Sequence, residues 1–172
     1  MPEETSKMST RRQLTLFIPE PHNKIIELVR MNFNPIQYSL IKSHVTLCRE
    51  DELELLDQVL NNLLHLKHPA ITIQFKPVHR SANEKGAMLP GTDEQHSFHQ
   101  LRKSVLAGIN DQPMLLQPHI TLMHPRNSTC TDELFEQIQK YEFPSQITFT
   151  EIAFIEQVNG GIWKTLETFQ LQ

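Results

Sequence analysis

Cysteine is nearly absent. Cys48 and Cys130 are the only two, far apart and outside any Cys-x-x-Cys pair, which excludes a zinc ribbon, a disulfide framework or a dithiol redox motif as the organising chemistry. Two free thiols fit a reducing compartment. Long apolar runs are missing too: no stretch approaches the roughly 20 residues of a membrane span. The polar start, Met1 to Arg12, has no hydrophobic signal core. These absences point to a soluble cytoplasmic protein with no membrane partner, a flexible amino-terminal tail over residues 1–12 and a single domain over 13–172.

Basic charge is also in short supply. The net charge of −4 and pI near 6.1 leave no broad cationic surface for long duplex DNA, although a small anion can still occupy a locally positive cleft. Glycine is scarce, at five residues. Gly86 and Gly91 do not form a phosphate loop, and no Gly-x-Ser-x-Gly elbow occurs. His96 and His99 sit three apart on an expected helix, but no third ligand in sequence completes a metal set, so they read as solvated.

What is present is a repeated order of elements. Leu14–Ile18 reads as a strand stopped by Pro19 and Pro21, His22–Phe33 as a helix ended by Asn34-Pro35, and Tyr38–Cys48 as a second strand. A leucine stripe marks a helix over Asp51–Leu64, and Ile71–Phe75 returns as strand. Gly86–Leu89 is a short strand within an irregular middle stretch. Phe98, Leu101, Val105 and Ile109 define another helix, Met114–Met123 a strand, Asp132–Tyr141 a helix and Ile147–Phe154 a strand. Asn159-Gly160-Gly161 then turns into a closing strand at Trp163–Leu171.

Three matches recur in one order. Ser43-His44-Val45-Thr46-Leu47 parallels Pro118-His119-Ile120-Thr121-Leu122, each is followed by Asp-Glu-Leu (at Asp51 and Asp132), and each leads on to Ile71-Thr72-Ile73 or Ile147-Thr148-Phe149. Two related lobes are implied. Helix-separated strands in both halves predict a duplicated, layered α+β fold with antiparallel sheets, their strand order left open.

Strand alternation puts His44 and Thr46 on one face, and likewise His119 and Thr121, with Val45, Leu47, Ile120 and Leu122 turned to the core. A single His-x-Thr is most often structural; two in matching contexts argue for function. Facing one groove, the four residues supply what phosphodiester chemistry needs. One imidazole takes a proton from the attacking hydroxyl or water while the other donates to the leaving oxygen, and the threonine hydroxyls steady the charged phosphate. Which histidine plays which part stays open here, since reversal of the reaction exchanges them.

Paired His-x-Thr strands about one lobe apart, flanked by apolar residues and with Pro118 before the second, resemble the two-histidine (2H) phosphoesterase superfamily. That superfamily includes the LigT-like 2′-5′ RNA ligases and the 2′,3′-cyclic phosphodiesterases. The resemblance spans nearly the whole chain. It implies an α+β, bilobal, duplicated fold with two antiparallel sheets flanked by helices around a central cleft, catalysis by His44, Thr46, His119 and Thr121, no metal or other cofactor, and a small nucleotide or RNA end as partner of a monomeric enzyme. Phe17 and Trp163 are candidates for stacking on a base, and Lys85 and His124 for further substrate contacts. Phe75, Phe154 and Tyr38 read as core. Two other readings of the same residues are a nucleotide or RNA-end binder without turnover, and a metallohydrolase with histidine ligands.

Overall fold

The computed structural model describes residues 8–81 and 83–172. The strands are β1 (Thr10–Phe17), β2 (His44–Cys48), β3 (Ile71–Gln74), β4 (His79–Ser81), β5 (Gly86–Pro90), β6 (His119–Met123), β7 (Gln146–Phe149), β8 (Glu151–Val158) and β9 (Lys164–Gln170). The helices are α1 (Asn23–Phe33), α2 (Pro35–Leu40), α3 (Leu56–Leu64), α4 (His96–Val105) and α5 (Asp132–Ile138). A seven-stranded sheet has the order β4-β5-β6-β2-β1-β8-β9, and β3 pairs with β7 in a second, two-stranded sheet; every pairing is antiparallel. The α+β class and the two antiparallel sheets match the expectation from sequence.

The duplication is written into the pairing. Val45 pairs with Ile120, and Thr72 pairs with Thr148, whose hydroxyls meet at 2.8 Å. Each is paired with its own counterpart in the sequence repeat. A residue meets its counterpart only beside a twofold axis, so one internal pseudo-twofold runs between both pairs. The two histidine strands therefore lie side by side at the middle of one sheet.

Alternation sorts the sheet into an apolar and a polar face. Leu14, Leu16, Val45, Leu47, Ile120 and Leu122 are buried; they belong to one core cluster with Ile26 and Val29 of α1 and Phe98, Leu101 and Val105 of α4. Burying such side chains supplies most of the driving force for folding. Phe75 and Phe154 join this core as expected, whereas Tyr38 is exposed.

Several boundaries differ from the sequence reading. Residues 38–40 are helical, not strand, because Pro35 fits the first turn of a helix; β2 begins only at His44. Asp51–Leu64 is broken: Glu50–Glu52 is a 3₁₀ turn and α3 starts at Leu56, since Glu52 is held by the backbone N–H of Arg49 at 2.8 Å and by Arg102. In the second half Thr131 caps the N–H of Leu134 at 3.2 Å, so α5 does begin at Asp132, and it ends at Ile138. Residues 114–118, bracketed by Pro113 and Pro118, are not strand. Ile147–Phe154 is two strands in different sheets, parted at Thr150. Thr10–Arg12 belong to β1, paired with Glu156–Val158, so the expected tail is shorter; its residues 1–7 lie outside the described residues.

Candidate active site

An antiparallel register centred on Val45 and Ile120 sets His44 opposite Thr121 and Thr46 opposite His119. Their side chains share the face opposite the core, and all four are half-buried. Directly opposed residues have Cα atoms about 4.5–5.5 Å apart, so the quartet forms one compact square about the pseudo-twofold.

Both imidazoles are anchored alike. His44 Nδ1 lies 2.8 Å from the Lys42 carbonyl and His119 Nδ1 3.1 Å from that of Gln117. A carbonyl only accepts, so each Nδ1 carries the hydrogen and each Nε2 is left for chemistry. The approach to His44 is braced from α1. Glu27 accepts from the Ser43 N–H at 2.7 Å and from Arg30 at 2.8 Å, and Arg30, only 2% exposed, donates to the Ile41 carbonyl at 2.8 Å. The approach to His119 is braced by backbone: the Gly91 N–H donates to the Pro118 carbonyl at 2.7 Å and Gln117 Nε2 to the Gly91 carbonyl at 2.9 Å.

Desolvation lowers the His44 pKa to about 4. Arg30 and His119 add to the lowering, against the opposing pull of the Lys42 carbonyl and Glu27. At neutral pH His44 is an uncharged imidazole. Burial likewise pushes the Cys48 thiol up to about 12 and raises that of Cys130, so neither is a ready nucleophile.

Phe17 pairs with His44 and meets its ring edge to face, with centroids 6.3 Å apart. Beside them is a cavity of about 490 Å³ whose lining includes Phe17, Tyr38, Lys42 and Trp163. Phe17 and Trp163 are thus brought together next to the quartet, packed on Ile41, Ala153 and Ile155. His124 lies one residue beyond β6. Its N–H donates to Asn34 at 2.8 Å, its Nδ1 accepts from the Arg126 N–H at 3.1 Å, and desolvation followed by the charge of Arg126 lowers its pKa. Lys85 is not drawn in. It sits in the β4–β5 turn, its carbonyl accepting from the Cys130 N–H at 2.7 Å.

The sequence reading missed the continuation of the polar face along β1. Arg11, Gln13 and Thr15 pair with Gln157, Ile155 and Ala153, and Thr15 pairs with Thr46. Arg11 stacks 5.4 Å from the Trp163 ring centre and donates to Gln157 at 3.3 Å, while Gln13 donates to Thr15 at 3.0 Å. The alternation of these residues with Leu14 and Leu16 carried the signal. Among the described residues no three His, Cys, Asp or Glu side chains cluster as a metal set, and no helix is long and apolar enough to cross a membrane.

The coordinates resemble solved structures over nearly their whole length. Escherichia coli LigT without ligand superposes with a TM-score of 0.66 at 17% identity, covering 95% of this chain and 99% of that one. The same protein complexed with 3′-AMP gives 0.63 at 17%, covering 95% and 98%. A structure described as a phosphoesterase gives 0.63 at 16%, covering 95% and 99%. Against curated proteins the sequence has no significant match. Residues 18–161, most of the chain and both His-x-Thr strands, match the 2′-5′ RNA ligase superfamily, and the chain belongs to that family, the LigT-like branch of the two-histidine phosphoesterases.

Proposed function

We propose that the protein is a phosphodiesterase that cleaves, or in reverse forms, a phosphodiester involving a ribose 2′-oxygen. The bond belongs to a 2′,3′-cyclic phosphate or a 2′-5′ linkage of a nucleotide or RNA end. The observation that carries the reading is the pairing of Val45 with Ile120, which groups two anchored imidazoles and two hydroxyls on one face about a twofold axis.

His44 is the base. Its Nδ1–H is engaged by Lys42, and its lowered pKa keeps Nε2 free to accept a proton. The attacking water gives that proton to His44 as its oxygen bonds to phosphorus; the bond from phosphorus to the leaving ribose oxygen breaks, and His119, entering the step as the imidazolium with a second hydrogen on Nε2, gives that proton to the leaving oxygen and ends neutral. Histidines on either side of the axis suit the opposed positions of entering and leaving oxygens. Thr46 and Thr121 donate to the non-bridging oxygens as their charge grows. In a 2′-5′ linkage the base of the nucleoside beyond the scissile phosphate rests in the Phe17 and Trp163 cavity, and His124 is a further donor at the rim. The reaction runs in a monomer, on one domain whose first strand begins at Thr10, with no step assigned to a metal.

The test is turnover of 2′,3′-cyclic nucleotides and 2′-5′ dinucleotides in excess EDTA. The wild type should form product, and His44→Ala or His119→Ala should each lower kcat by roughly 10²- to 10⁴-fold. Tight binding without turnover by the wild type would instead establish a nucleotide-binding protein. Loss of turnover on adding EDTA would establish a metallohydrolase.

A further inference from the structure

The polar face extends past the quartet on the side away from the aromatic cavity. Phe17 pairs with His44, Thr121 with Met88, and Met88 with His79. With His44 set opposite Thr121, one row of side chains runs Phe17, His44, Thr121, Met88, His79 across five strands. Directly paired residues project to the same side of a sheet, so a third imidazole shares the face of the other two. His79 is exposed, and Met88, between it and Thr121, is half-buried. Two strand spacings, about 10 Å, separate His79 from Thr121.

His79 is also held as the other two are. Each of the three is the first residue of its strand. Each places Nδ1 on the carbonyl two residues earlier, at 2.8 Å for His44, 3.1 Å for His119 and 2.6 Å for His79 with Pro77. His65 and His68 bond carbonyls at other offsets and lie outside this sheet. The Pro77 bond fixes the His79 tautomer and leaves Nε2 for an outside partner. Neighbouring cations are engaged elsewhere: Arg80 donates to Asp132 and to the Cys130 carbonyl, and Lys76 donates to Asp93 at 3.0 Å.

We propose that Met88 and His79 form a second subsite, which takes a second phosphate carried one nucleotide away from the scissile one. Met88 is the apolar floor under the intervening nucleoside, and His79 Nε2 hydrogen-bonds the distant phosphate. The proposal rests on the phosphodiesterase reading above. It narrows the substrate from mononucleotides to RNA ends or oligonucleotides that carry phosphate on both sides of a nucleoside. The second phosphate has two sources: the 5′-phosphate of the nucleotide bearing the cyclic phosphate, or the 5′-phosphate of a 2′-5′-linked dimer.

Two matched pairs test this: adenosine 2′,3′-cyclic phosphate with and without a 5′-phosphate, and the 2′-5′ adenylate dimer with and without one. The wild type should prefer the 5′-phosphorylated member of one pair, and that pair identifies the source. His79→Ala should reduce the preference in kcat/KM by about tenfold, the scale of one hydrogen bond to a charged group, and His79→Lys should restore part of it. Absence of preference in both pairs, or its survival in His79→Ala, overturns the subsite. Equilibrium affinities of the same four compounds read the subsite even if no turnover occurs. Failure of the phosphodiesterase reading and failure of the subsite therefore give different results.

Discussion

The pKa of His44 makes the acid limb of the rate profile the sharpest test of its role as base. Desolvation, the neighbouring Arg30 guanidinium and His119 bring it to about 4, against about 6.5 for an unperturbed imidazole. At pH 5.5 an ordinary histidine is only about one-tenth neutral, whereas one with a pKa of about 4 is almost entirely neutral. Since kcat/KM reports ionisations of the free enzyme, its acid limb should be displaced by roughly two pH units, with a midpoint between about 4 and 5. The assay is kcat/KM on a 2′,3′-cyclic nucleotide from pH 3.5 to 8, beside an NMR titration of the His44 ring. A limb and a ring titration both near 6.5 would refute the assignment. Stability carries the same sign. A histidine whose folded pKa is depressed binds fewer protons than its unfolded counterpart, so stability is complete above about 6.5 and falls as pH drops from there toward 4. The loss is at most about 3 kcal/mol, reduced by the partial exposure of the ring.

Two substitutions test the scaffold. Arg102 is 1% exposed; it donates to the Leu47 carbonyl at 2.5 Å, to Glu52 at 2.5 and 3.0 Å, and to the Met114 carbonyl at 3.0 Å. Arg102→Met strands those acceptors at a cost of about 3–5 kcal/mol, so calorimetry should show Tm falling by roughly 6–20 °C; a fall under about 3 °C would refute this account of the clamp. A Cβ on Gly91 would lie 2.9 Å from Pro118 Cγ and 3.0 Å from the Pro118 carbonyl oxygen. Gly91→Ala should therefore displace His119 and lower kcat about tenfold or more, and an unchanged kcat would show that the Gly91–Pro118 contact does not position the histidine.

The quartet was legible because two local signals coincided. Period-two alternation put His44 and Thr46 opposite Val45 and Leu47, and the repeat supplied an identical second copy. What the sequence could not carry was the long-range register. Nothing near His44 announces that Thr121 is its cross-strand neighbour, or that Val45 pairs with its own counterpart Ile120; those facts arise from closing the two lobes about one axis. The helical state of residues 38–40 was hidden because Pro35 was read only as the end of α1, when the same ring also suits the first turn of the next helix. His79 was missed for a related reason. β4 is three residues long, too short for alternation to register, and the place of His79 on the face of the quartet depends on two successive pairings through β5. Buried charge was equally opaque: Arg30 and Arg102 look like surface residues of amphipathic helices until Ile41, Leu47 and Met114 present carbonyls to them.

In the proposed reaction a symmetric scaffold must divide acid from base, and the difference between its halves lies outside the repeated strands. The twofold makes His44 and His119 equivalent in backbone, anchor and facing threonine. Their approaches are not equivalent. The segment entering β2 is clamped by charged side chains of α1, Glu27 on the Ser43 N–H and Arg30 on the Ile41 carbonyl. The segment entering β6 is clamped by Gly91 and Gln117 through uncharged groups. The helix that corresponds to α1, α4, turns its buried Arg102 chiefly to Leu47 and Glu52, and it touches the segment before His119 at the more distant Met114 carbonyl. A buried guanidinium therefore bears on His44, whereas among the described residues the carbonyls nearest before His119 are held by Gly91 and by His119 itself. Burial is the largest cause that keeps His44 neutral, and the Arg30 charge adds to it by disfavouring a second positive charge on the imidazole, so in the proposed reaction the half of the scaffold with the buried, arginine-braced histidine supplies the base.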